Sequence, residues 1–180
     1  MIILVGKSGS GKDTVQAALA ALGISPVTLY TTRPPREGEA DGRQYWFLSD
    51  KEFQEREDAG LFACTSSFTV ASGDTWHYAI PREGLTGAVS VQANPGQLDA
   101  VKEAAWPGAF AVYLLASDET LTRRRLLRGA EPTEEIARRL DADRKDFAGM
   151  ESRVHATLNS ECFQPAELAS AIFHMHFMHT

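Results

Sequence analysis

A glycine-rich segment close to the first residue carries the side chains best suited to chemistry. The segment Gly6-Lys-Ser-Gly-Ser-Gly11-Lys12-Asp13-Thr14 fits the pattern GxxxxGK of phosphate-binding loops. Glycines let successive backbone N–H groups curl around phosphate oxygens, and a helix that follows points its positive N-terminus at the same anion. Lys12 is expected to reach the β- and γ-phosphates of a nucleotide. The residues predicted to bind these phosphates are Gly6, Ser8, Gly9, Ser10, Gly11, Lys12, Asp13 and Thr14.

The position after the lysine departs from the usual pattern, in which Ser or Thr holds Mg²⁺. Asp13 stands there, and Thr14 follows one residue later. Mg²⁺ favours oxygen ligands and keeps several waters, so Asp13 can hold the metal directly or through water. Both modes are chemically acceptable, and Asp13 and Thr14 are the predicted metal residues.

A second chemical constellation lies in the irregular segment 31–44. Arg33 and Arg36 are three residues apart, and Tyr45 follows nearby. Because arginine presents a planar fork that matches phosphate oxygens, this pair can clamp the dianionic phosphate of a monophosphate. The segment combines Arg, Glu, Gly and Pro without hydrophobic periodicity, and long irregular segments inside compact domains are usually functional.

A third constellation is the basic stretch 121–150. It holds eight of the 18 Lys and Arg residues against six acids, a net charge of +2 in a chain whose net charge is −6. Three of its arginines are consecutive, at 123–125, and three consecutive residues of a helix cannot all face one ligand. We therefore expect this triplet to be only partly functional.

Apolar runs predict the elements that position these residues. Met1 to Val5 is continuously apolar, which is typical of a strand buried on both faces of a parallel sheet. After the glycine-rich segment, 14–22 carries apolar residues at helical spacing and stops at Gly23. Strand, glycine loop and helix in this order are the opening of an α/β domain.

The remaining chain continues this alternation with one interruption. Ser49 or Asp50 should cap one of the predicted helices. Residues 30–86 break the alternation and suggest an inserted subdomain, in which 61–78 predicts an antiparallel β region. Strands that alternate with helices predict a mainly parallel sheet. The predicted strands are 27–30, 45–48, 87–92, 109–115 and 154–158, and the predicted helices are 50–59, 95–105, 118–128, 133–147 and 165–173.

Composition excludes several classes of protein. The 180 residues are 43% hydrophobic and 23% charged, which is ordinary for one globular domain. No apolar run approaches the roughly 18 residues that span a bilayer, and the apolar start lacks the features of a signal peptide. Cys64 and Cys162 form no CxxC, which fits a reducing compartment. With the net negative charge, these features predict a cytoplasmic protein without a nucleic-acid or membrane partner.

The segment Tyr30-Thr-Thr-Arg33-Pro-Pro-Arg36-Glu-Gly-Glu39-Ala-Asp-Gly42-Arg-Gln-Tyr45-Trp-Phe47 closely resembles the signature of guanylate kinases, P-loop enzymes that phosphorylate GMP. The family's pattern is Thr-Thr-Arg, a second Arg three residues on, Gly-Glu, and Gly-x-x-Tyr-x-Phe, and each part is present at the same spacing. The resemblance implies a three-layer α/β P-loop kinase with a mainly parallel sheet. Its implied parts are a core of 1–29, 87–120 and 151–180, an acceptor-binding insertion at 30–86 and a helical lid at 121–150.

The resemblance also implies roles for individual residues. Acceptor-binding roles fall on Arg33, Arg36, Glu39, Tyr45, Tyr78, Gln92 and Asn94. The family's lid closes on ATP, and its arginines stabilise charge on the transferring phosphoryl group. Arg128 and Arg139 match those positions best, and Arg144 is a third candidate on the same helix as Arg139. With Lys12 they form the implied catalytic set, and Asn159 matches the position that contacts the donor's adenine.

The acceptor side departs from the family pattern at two places. The strand that usually reads Leu-Asp-Ile-Asp is Val91-Gln92-Ala93-Asn94, so amides replace an acid linked to the metal's water shell and an acid that faces guanine. The usual Tyr-Gly-Ser/Thr step is Tyr78-Ala79-Ile80, which lacks the hydroxyl. Because an amide offers guanine one acceptor where a carboxylate accepts twice, we expect looser discrimination between bases.

The predicted reaction is phosphoryl transfer from MgATP to GMP or dGMP by a monomer or small homo-oligomer. Another (deoxy)nucleoside monophosphate is an alternative acceptor. The Gln92 strand and the Gly-Lys-Asp step resemble ribose 1,5-bisphosphate kinases, which lack the paired arginines and tyrosine, and 143–151 resembles divergent, phage-type guanylate-kinase-like proteins. Lys12 and the arginine-rich lid argue against a non-catalytic binding module.

Three histidines near the C-terminal end have a simpler interpretation. His174, His176 and His179 lie in Phe173-His-Met-His-Phe-Met-His-Thr180. A metal site would need a third ligand at suitable spacing or an acidic partner, and neither is present in this stretch. We therefore expect a frayed or half-buried end of the chain.

Overall fold

The structure, a computed structural model, describes residues 1–36, 38–43, 45–69, 73–105, 108–129 and 133–179, without the side chain of Arg128. Its strands are β1 (Ile2–Val5), β2 (Ser25–Pro26), β3 (Leu29–Thr31), β4 (Tyr45–Phe47), β5 (Phe62–Thr69), β6 (Thr75–Pro81), β7 (Val89–Ala93), β8 (Phe110–Leu115) and β9 (Ala156–Asn159). Its α-helices are α1 (Lys12–Ala21), α2 (Asp50–Asp58), α3 (Leu98–Ala104), α4 (Asp118–Arg128), α5 (Thr133–Asp146) and α6 (Pro165–His179). A short 3₁₀ helix, Met150–Arg153, precedes β9.

The main sheet of the described residues has five strands in the order β2-β7-β1-β8-β9. All of its pairings are parallel. β1 is central, with Ile3 opposite Val91 of β7 and Ala111 of β8. The predicted α/β fold with a mainly parallel sheet is therefore confirmed.

Helices cover both faces of this sheet and make the fold three-layered. Along β1 the side chains alternate between the two faces, as in any strand. Ile3 and Val5 pack in one core cluster with residues of α3. Ile2 and Leu4 pack in a second cluster with residues of α1 and α6. All four side chains are fully buried, and burial of each contributes roughly 1.5–3 kcal/mol.

The interrupting segment forms a second sheet of four strands in the order β4-β3-β6-β5. β5 and β6 pair antiparallel over Phe62–Thr69 and Thr75–Pro81, which confirms the predicted antiparallel region. This sheet has a small core of its own, formed by Phe53, Phe62 and Ala79. α2 packs into it and begins with a capping box, in which Ser49 is the cap and Glu52 the reciprocal partner.

The strand predicted at 27–30 is wrong in one respect. The chain forms two short strands there, and β2 belongs to the main sheet while β3 belongs to the second sheet. Pro26 ends β2 at the sheet edge, a position that tolerates proline because no backbone N–H is needed on the outer side. The break between the two strands is therefore the point at which the chain leaves one sheet for the other.

Two helix boundaries also differ from the prediction. α3 begins at Leu98 and not at 95, because a turn over Asn94 to Gln97 precedes it. α6 continues to His179, so of the two alternatives predicted for the last histidines fraying is wrong, whereas His176 is half-buried as the other alternative states. The rings of His176 and His179 lie 5.9 and 5.2 Å from Phe110, and this packing extends the helix. The antiparallel region predicted at 61–78 ends three residues later, at Pro81, and the other predicted elements end within two residues of the observed boundaries.

No helix in the described part of the chain is both long and apolar enough to cross a membrane.

Candidate active site

The glycine-rich segment forms a tight loop between β1 and α1. Gly9 and Gly11 have positive φ angles of 88° and 94°, a conformation that residues with side chains rarely adopt. Gly6 is needed for a different reason, because a Cβ atom there would lie 2.9 Å from the carbonyl oxygen of Leu114. The loop geometry therefore depends on glycine at three of the predicted phosphate-binding positions.

Lys12 begins α1, and its side chain folds back over this loop. Its Nζ donates hydrogen bonds to the carbonyl oxygens of Gly6 at 2.6 Å and of Lys7 at 3.1 Å. The backbone N–H of the buried Ser10 donates to the same Lys7 carbonyl at 3.1 Å. The loop thus curls around the ammonium group, and the phosphate role of Lys12 stays a prediction.

Two arginines of α4 hold the loop from behind. Arg124 donates to the carbonyl oxygen of Gly9 at 3.1 Å and to that of Ser160 at 3.1 Å. Arg125 donates to the carbonyl oxygen of Ser8 at 3.2 Å and is only 4% exposed. We call Arg124 and Arg125 the bracing arginines, since their hydrogen bonds connect α4 to the loop backbone.

The sequence prediction missed this bracing role. The prediction considered the arginines at 123–125 only as residues that could face a ligand, and three consecutive side chains of a helix cannot all face one ligand. Neighbouring side chains that diverge by a helical step can instead grip two carbonyls of one loop, as Arg124 and Arg125 do. The usable signal was the pair of adjacent arginines on the helix that follows β8.

Arg125 also connects the loop to α5. It donates to the carboxylate of Asp143 at 3.2 Å and to the carbonyl oxygen of Ile136 at 3.4 Å. Burial raises the pKa of Asp143 above its usual value, and the attraction of Arg125 for the charged carboxylate offsets this only in part. The predicted lid is therefore joined to the loop through one buried cation.

Asp118 joins a second lid arginine to the loop. Its carboxylate accepts hydrogen bonds from Arg144 at 2.7 Å and from Lys7 at 3.2 Å. The hydrogen bond from Arg144 holds the pKa of Asp118 below its usual value. Arg144 donates to Asp141 as well, at 2.7 Å. The predicted catalytic Arg144 thus lies between two carboxylates beside the loop.

The other predicted catalytic arginines have different surroundings. Arg139 donates to Glu135 at 3.0 Å, and Arg138 donates to the same carboxylate at 2.7 Å. The hydrogen bond from Arg138 is the main reason that the pKa of Glu135 falls to about 2. Arg128 ends α4, but its side chain lies outside the described part of the structure.

On the acceptor side, Glu39 holds the predicted phosphate clamp in place. Both of its carboxylate oxygens accept hydrogen bonds from Arg33 at 2.9 Å, and one accepts from the backbone N–H of Arg36 at 2.7 Å. Burial by itself raises the pKa of Glu39, but the hydrogen bonds from Arg36 and Arg33 bring it below the usual value. Glu39, predicted to bind the acceptor, contacts the clamp arginine.

Aromatic rings surround the same guanidinium group. Arg33 lies 5.6 Å from the ring centroids of both Tyr45 and Phe47, a distance at which a cation is attracted to an aromatic face. The rings of Tyr45 and Tyr78 meet edge to face at 6.0 Å. Burial raises the pKa of the Tyr45 phenol. The predicted acceptor residues Arg33, Tyr45 and Tyr78 therefore form one cluster, and the exposed Arg36 lies on the same loop.

The two amide residues of the β7 region have different partners. Gln92 donates from Nε2 to the Asp13 carboxylate at 2.8 Å, across to α1. The Asn94 side-chain oxygen accepts from the backbone N–H of Gln97 at 2.9 Å, and Gln97 in turn donates to Ser66 at 3.2 Å. The acceptor atom predicted to face guanine is thus engaged with the turn before α3. Any contact of that oxygen with a base has to compete with this bond.

Asn159 lies at the end of β9, next to the bracing network. Its side-chain oxygen accepts from the backbone N–H of Glu161 at 2.8 Å. The following residue, Ser160, accepts hydrogen bonds from Arg124 through its hydroxyl and its carbonyl oxygen. The predicted adenine-contacting residue therefore lies one residue from a group that supports the loop.

The first turn of α1 supplies oxygen atoms suited to Mg²⁺. Asp13 contributes a carboxylate and Thr14 a hydroxyl, and both residues are exposed. Among the described residues, no cluster of three or more His, Cys, Asp or Glu side chains could enclose a metal. A sparse oxygen donor set fits Mg²⁺, which usually takes one or two carboxylates, several waters and the phosphates of a substrate.

Comparisons with known sequences give consistent results. The family model described as "Guanylate kinase" matches residues 1–162. A protein of Symbiobacterium thermophilum named guanylate kinase is 37% identical over 150 residues, which cover 78% of this chain and 68% of that protein. A guanylate kinase of Bifidobacterium longum is 34% identical over 187 aligned residues, which cover 92% of this chain and 88% of that protein.

Solved structures agree in fold. The guanylate kinase from Anaplasma phagocytophilum superposes with a TM-score of 0.71 at 20% identity and covers 97% of this chain and 82% of that chain. A shikimate kinase from Acinetobacter baumannii superposes with a TM-score of 0.55 at 17% identity and covers 99% of this chain and 93% of that chain. At these identities, the likeness concerns the fold alone.

Proposed function

The chain belongs to the guanylate kinase family, and from this premise we propose that it transfers a phosphoryl group from MgATP to GMP or dGMP. The observation that carries the proposal is that one fold brings together two clusters whose chemistry suits phosphate. One is the loop that curls around Lys12. The other is the Arg33 and Glu39 pair inside an aromatic cluster.

The loop would bind the donor's phosphates. Its backbone N–H groups and the N-terminus of α1 attract anions, and the bracing arginines support the loop with their charges close by. Lys12 would exchange its carbonyl partners for phosphate oxygens and neutralise charge on the phosphoryl group in transit. Mg²⁺, held by Asp13 and Thr14 together with waters and the phosphates, would supply further charge neutralisation.

The second sheet would bind the acceptor. Arg33 is almost fully buried and preoriented by Glu39, so little conformational entropy remains to be lost when a phosphate binds. Arg36, on the exposed loop beside it, supplies a second fork, and the phenols of Tyr45 and Tyr78 supply donors. Asn94 would lie toward the acceptor's other end, whereas Gln92, also predicted to bind the acceptor, contacts Asp13 of α1. This assignment makes 30–86 the acceptor-binding insertion.

The lid, 121–150, would act on the transition state. Arg139 and Arg144 are paired with carboxylates in this structure, and a phosphate dianion can displace a carboxylate by forming stronger charge-assisted bonds. Arg128 is proposed as their third member. Closure of the lid would exclude water that could otherwise accept the phosphoryl group.

A sugar-phosphate kinase of the ribose 1,5-bisphosphate type is the second candidate. The observation that favours it is the direct bond between Gln92 and Asp13, two of the residues at which this chain departs from the guanylate kinase pattern. The clustered Arg33, Tyr45 and Tyr78 favour a nucleoside monophosphate. GMP or dGMP therefore stays the first choice.

We also propose a cytoplasmic enzyme that works as a monomer or small homo-oligomer, without a nucleic-acid or membrane partner. Cys64 and Cys162 are both free thiols, which suits a reducing compartment. The net charge of −6 disfavours association with nucleic acid.

An ADP-release assay over all ribo- and deoxynucleoside monophosphates and ribose 1,5-bisphosphate tests the proposed function. GMP or dGMP is expected to be the best acceptor, with base preference looser than in guanylate kinases that carry acids at the two amide positions. A pyrimidine nucleotide or the sugar phosphate as best acceptor would contradict the proposal. If no acceptor in the set leads to release of ADP, the result would support a non-catalytic binding module.

A further inference from the structure

A chain of three hydrogen bonds connects the buried part of β7 to the first turn of α1. The Nε2 atom of Gln16 donates to the carbonyl oxygen of Ser90 at 3.1 Å. The Nε2 atom of Gln92 donates to Oε1 of Gln16 at 3.0 Å and to Oδ1 of Asp13 at 2.8 Å. We call this chain, Ser90 to Gln16 to Gln92 to Asp13, the amide relay.

The direction of every bond in the amide relay is fixed by its first member. A backbone carbonyl can only accept, so Gln16 must turn its NH₂ group toward Ser90 and its oxygen toward Gln92. Gln92 must then present its NH₂ group to both Gln16 and Asp13. The last position of the relay therefore requires an acceptor, and the carboxylate of Asp13 is one in its charged form.

The relay gives a surface carboxylate a rigid anchor. Ser90 is fully buried within the main sheet, whereas Asp13 is exposed on α1. Without a partner, an exposed aspartate samples several rotamers, and ordering it would cost free energy when a ligand binds. The bond to Gln92 engages Oδ1, and a carboxylate has a second oxygen with its own lone pairs.

We propose that Gln92 and Gln16 are positioning residues of the donor site, which act through Asp13. This inference rests on the proposed function, because it assumes that the loop binds a metal–nucleotide complex. Through the relay, β7 holds one oxygen of Asp13 and directs the other toward the metal or a water bound to it. Gln92, for which the family resemblance implied an acceptor-binding role, belongs on this account to the donor side.

Binding of Mn²⁺, measured by electron paramagnetic resonance, tests this inference without any catalytic turnover. The sample is the full chain saturated with a non-hydrolysable ATP analogue, with no acceptor present. Gln92→Met and Gln16→Met are expected to weaken Mn²⁺ binding roughly tenfold, a typical effect of removing a partner behind a metal ligand. Affinity for the analogue in EDTA should stay within about twofold, because the loop itself is intact.

Gln54→Met is the matched control. Gln54 also donates its amide to an aspartate, Asp58, at 2.9 Å, but it lies on α2 in the second sheet's layer. Mn²⁺ affinity in this variant should equal that of the wild type. An equal loss in Gln54→Met would show that the assay reports general stability, and it would overturn the assignment.

A double-mutant cycle separates positioning from direct contact. If Gln92 acts through Asp13, Gln92→Met should have almost no further effect in an Asp13→Ala background. Additive losses would overturn the relay, as would wild-type Mn²⁺ affinity in Gln92→Met or Gln16→Met. Gln16→Met keeps the test valid if Gln92→Met fails to fold. The Mn²⁺ assay contains no acceptor, so the two proposals can fail separately. A wild-type protein that does not phosphorylate GMP, but whose variants show the expected Mn²⁺ affinities, would contradict the proposed function and leave the amide relay standing.

Discussion

The cations around the donor loop and those of the acceptor site and lid differ in what they contact. Lys12 and the bracing arginines donate to backbone carbonyls of the loop. Arg33 donates to Glu39, and Arg139 and Arg144 also donate to carboxylates. A carbonyl is neutral, so it leaves most of the cation's charge uncompensated, whereas a carboxylate cancels it. Arg125 is intermediate, because it also donates to the Asp143 carboxylate. The carbonyl partners of Lys12 and Arg124 leave the charge of these cations able to attract an anion. The cations of the second group can attract a phosphate fully only when it replaces their carboxylate.

Lys12→Ala should have the largest effect, because it removes the ammonium group around which the loop carbonyls lie. Turnover is expected to fall roughly 10²- to 10³-fold, as when one electrostatic stabiliser of a transition state is lost. Steady-state kinetics with the best acceptor measure it, and the melting temperature should barely change. Lys51→Ala, at an exposed pair with Glu55, is the control. Normal turnover in a folded Lys12→Ala protein would remove the basis of the donor assignment.

Arg125→Met tests the bracing arginines through stability. The change removes the hydrogen bonds of Arg125 to the buried Ile136 carbonyl and to the Asp143 carboxylate, so the free energy of unfolding should fall by about 2–3 kcal/mol. Urea titration measures it. Arg138→Met removes an exposed pair with Glu135 and should leave the free energy of unfolding almost unchanged. Equal losses in the two variants would mean that Arg125 is an ordinary surface cation.

Substitution of the carboxylate-paired cations should affect either acceptor binding or turnover, depending on the residue. Arg33→Lys keeps the charge but loses the two-oxygen contact with Glu39, and the acceptor KM should rise roughly tenfold with kcat little changed. Arg139→Ala should mainly lower kcat, because the lid acts on the transition state. Acceptor-dependent kinetics distinguish the two. An unchanged acceptor KM in both Arg33→Lys and Arg36→Ala would exclude the clamp.

Asn94→Asp addresses how the acceptor's base is recognised. A carboxylate can accept from Gln97 and from guanine with its two oxygens, whereas the single oxygen of Asn94 is already engaged. The preference for GMP over AMP, measured as a ratio of kcat/KM values, should rise roughly tenfold. A wild type that already rejects AMP and IMP by many orders of magnitude would place base recognition elsewhere.

The smallest effect is a difference in acid stability between two carboxylates. The pKa of Asp118 is lowered from 3.8, so its contribution is present above pH 3.8 and lost as pH falls through the native pKa. The pKa of Asp143 is raised from 3.8, so its protonation favours the native state as pH falls. Asp118→Asn should therefore flatten the acid-induced loss of stability, and Asp143→Asn should steepen it. Urea titrations between pH 3 and 7 measure both slopes, and equal slopes would contradict the comparison.

Local sequence patterns were sufficient to predict features that lie within one continuous segment. The β1 run, the glycine spacing and the segment from Tyr30 to Phe47 each predicted a feature that the structure places as expected. Contacts between distant segments could not be predicted from these patterns. Gln16 carries no signal, because one polar residue on an amphipathic helix is typical of a solvent-facing position. Its bond to Ser90 arises only when α1 packs beside β7.

The C-terminal helix is a second example of a feature that depends on contacts between distant segments. A polar, histidine-rich end predicts fraying when only its own sequence is considered. In the fold, the ring centroid of His179 lies 4.4 Å from that of His155, with the two rings tilted by 57°. His155 lies 24 positions earlier and also supports β8 by accepting a hydrogen bond from the backbone N–H of Ala111. Tertiary packing therefore overrides the local preference.

The long sequence separation between the glycine-rich loop and the bracing arginines determines when the loop can reach its final structure during translation. Arg124 and the loop carbonyl of Gly9 that it contacts are 115 residues apart, and Ser160 lies a further 36 residues along the chain. During translation the loop therefore emerges long before Arg124 and Ser160 are synthesised. Likewise, β1 emerges before its partner strands β7 and β8. The ribosome releases a nucleotide-binding segment that can take its final shape only when most of the domain has followed it.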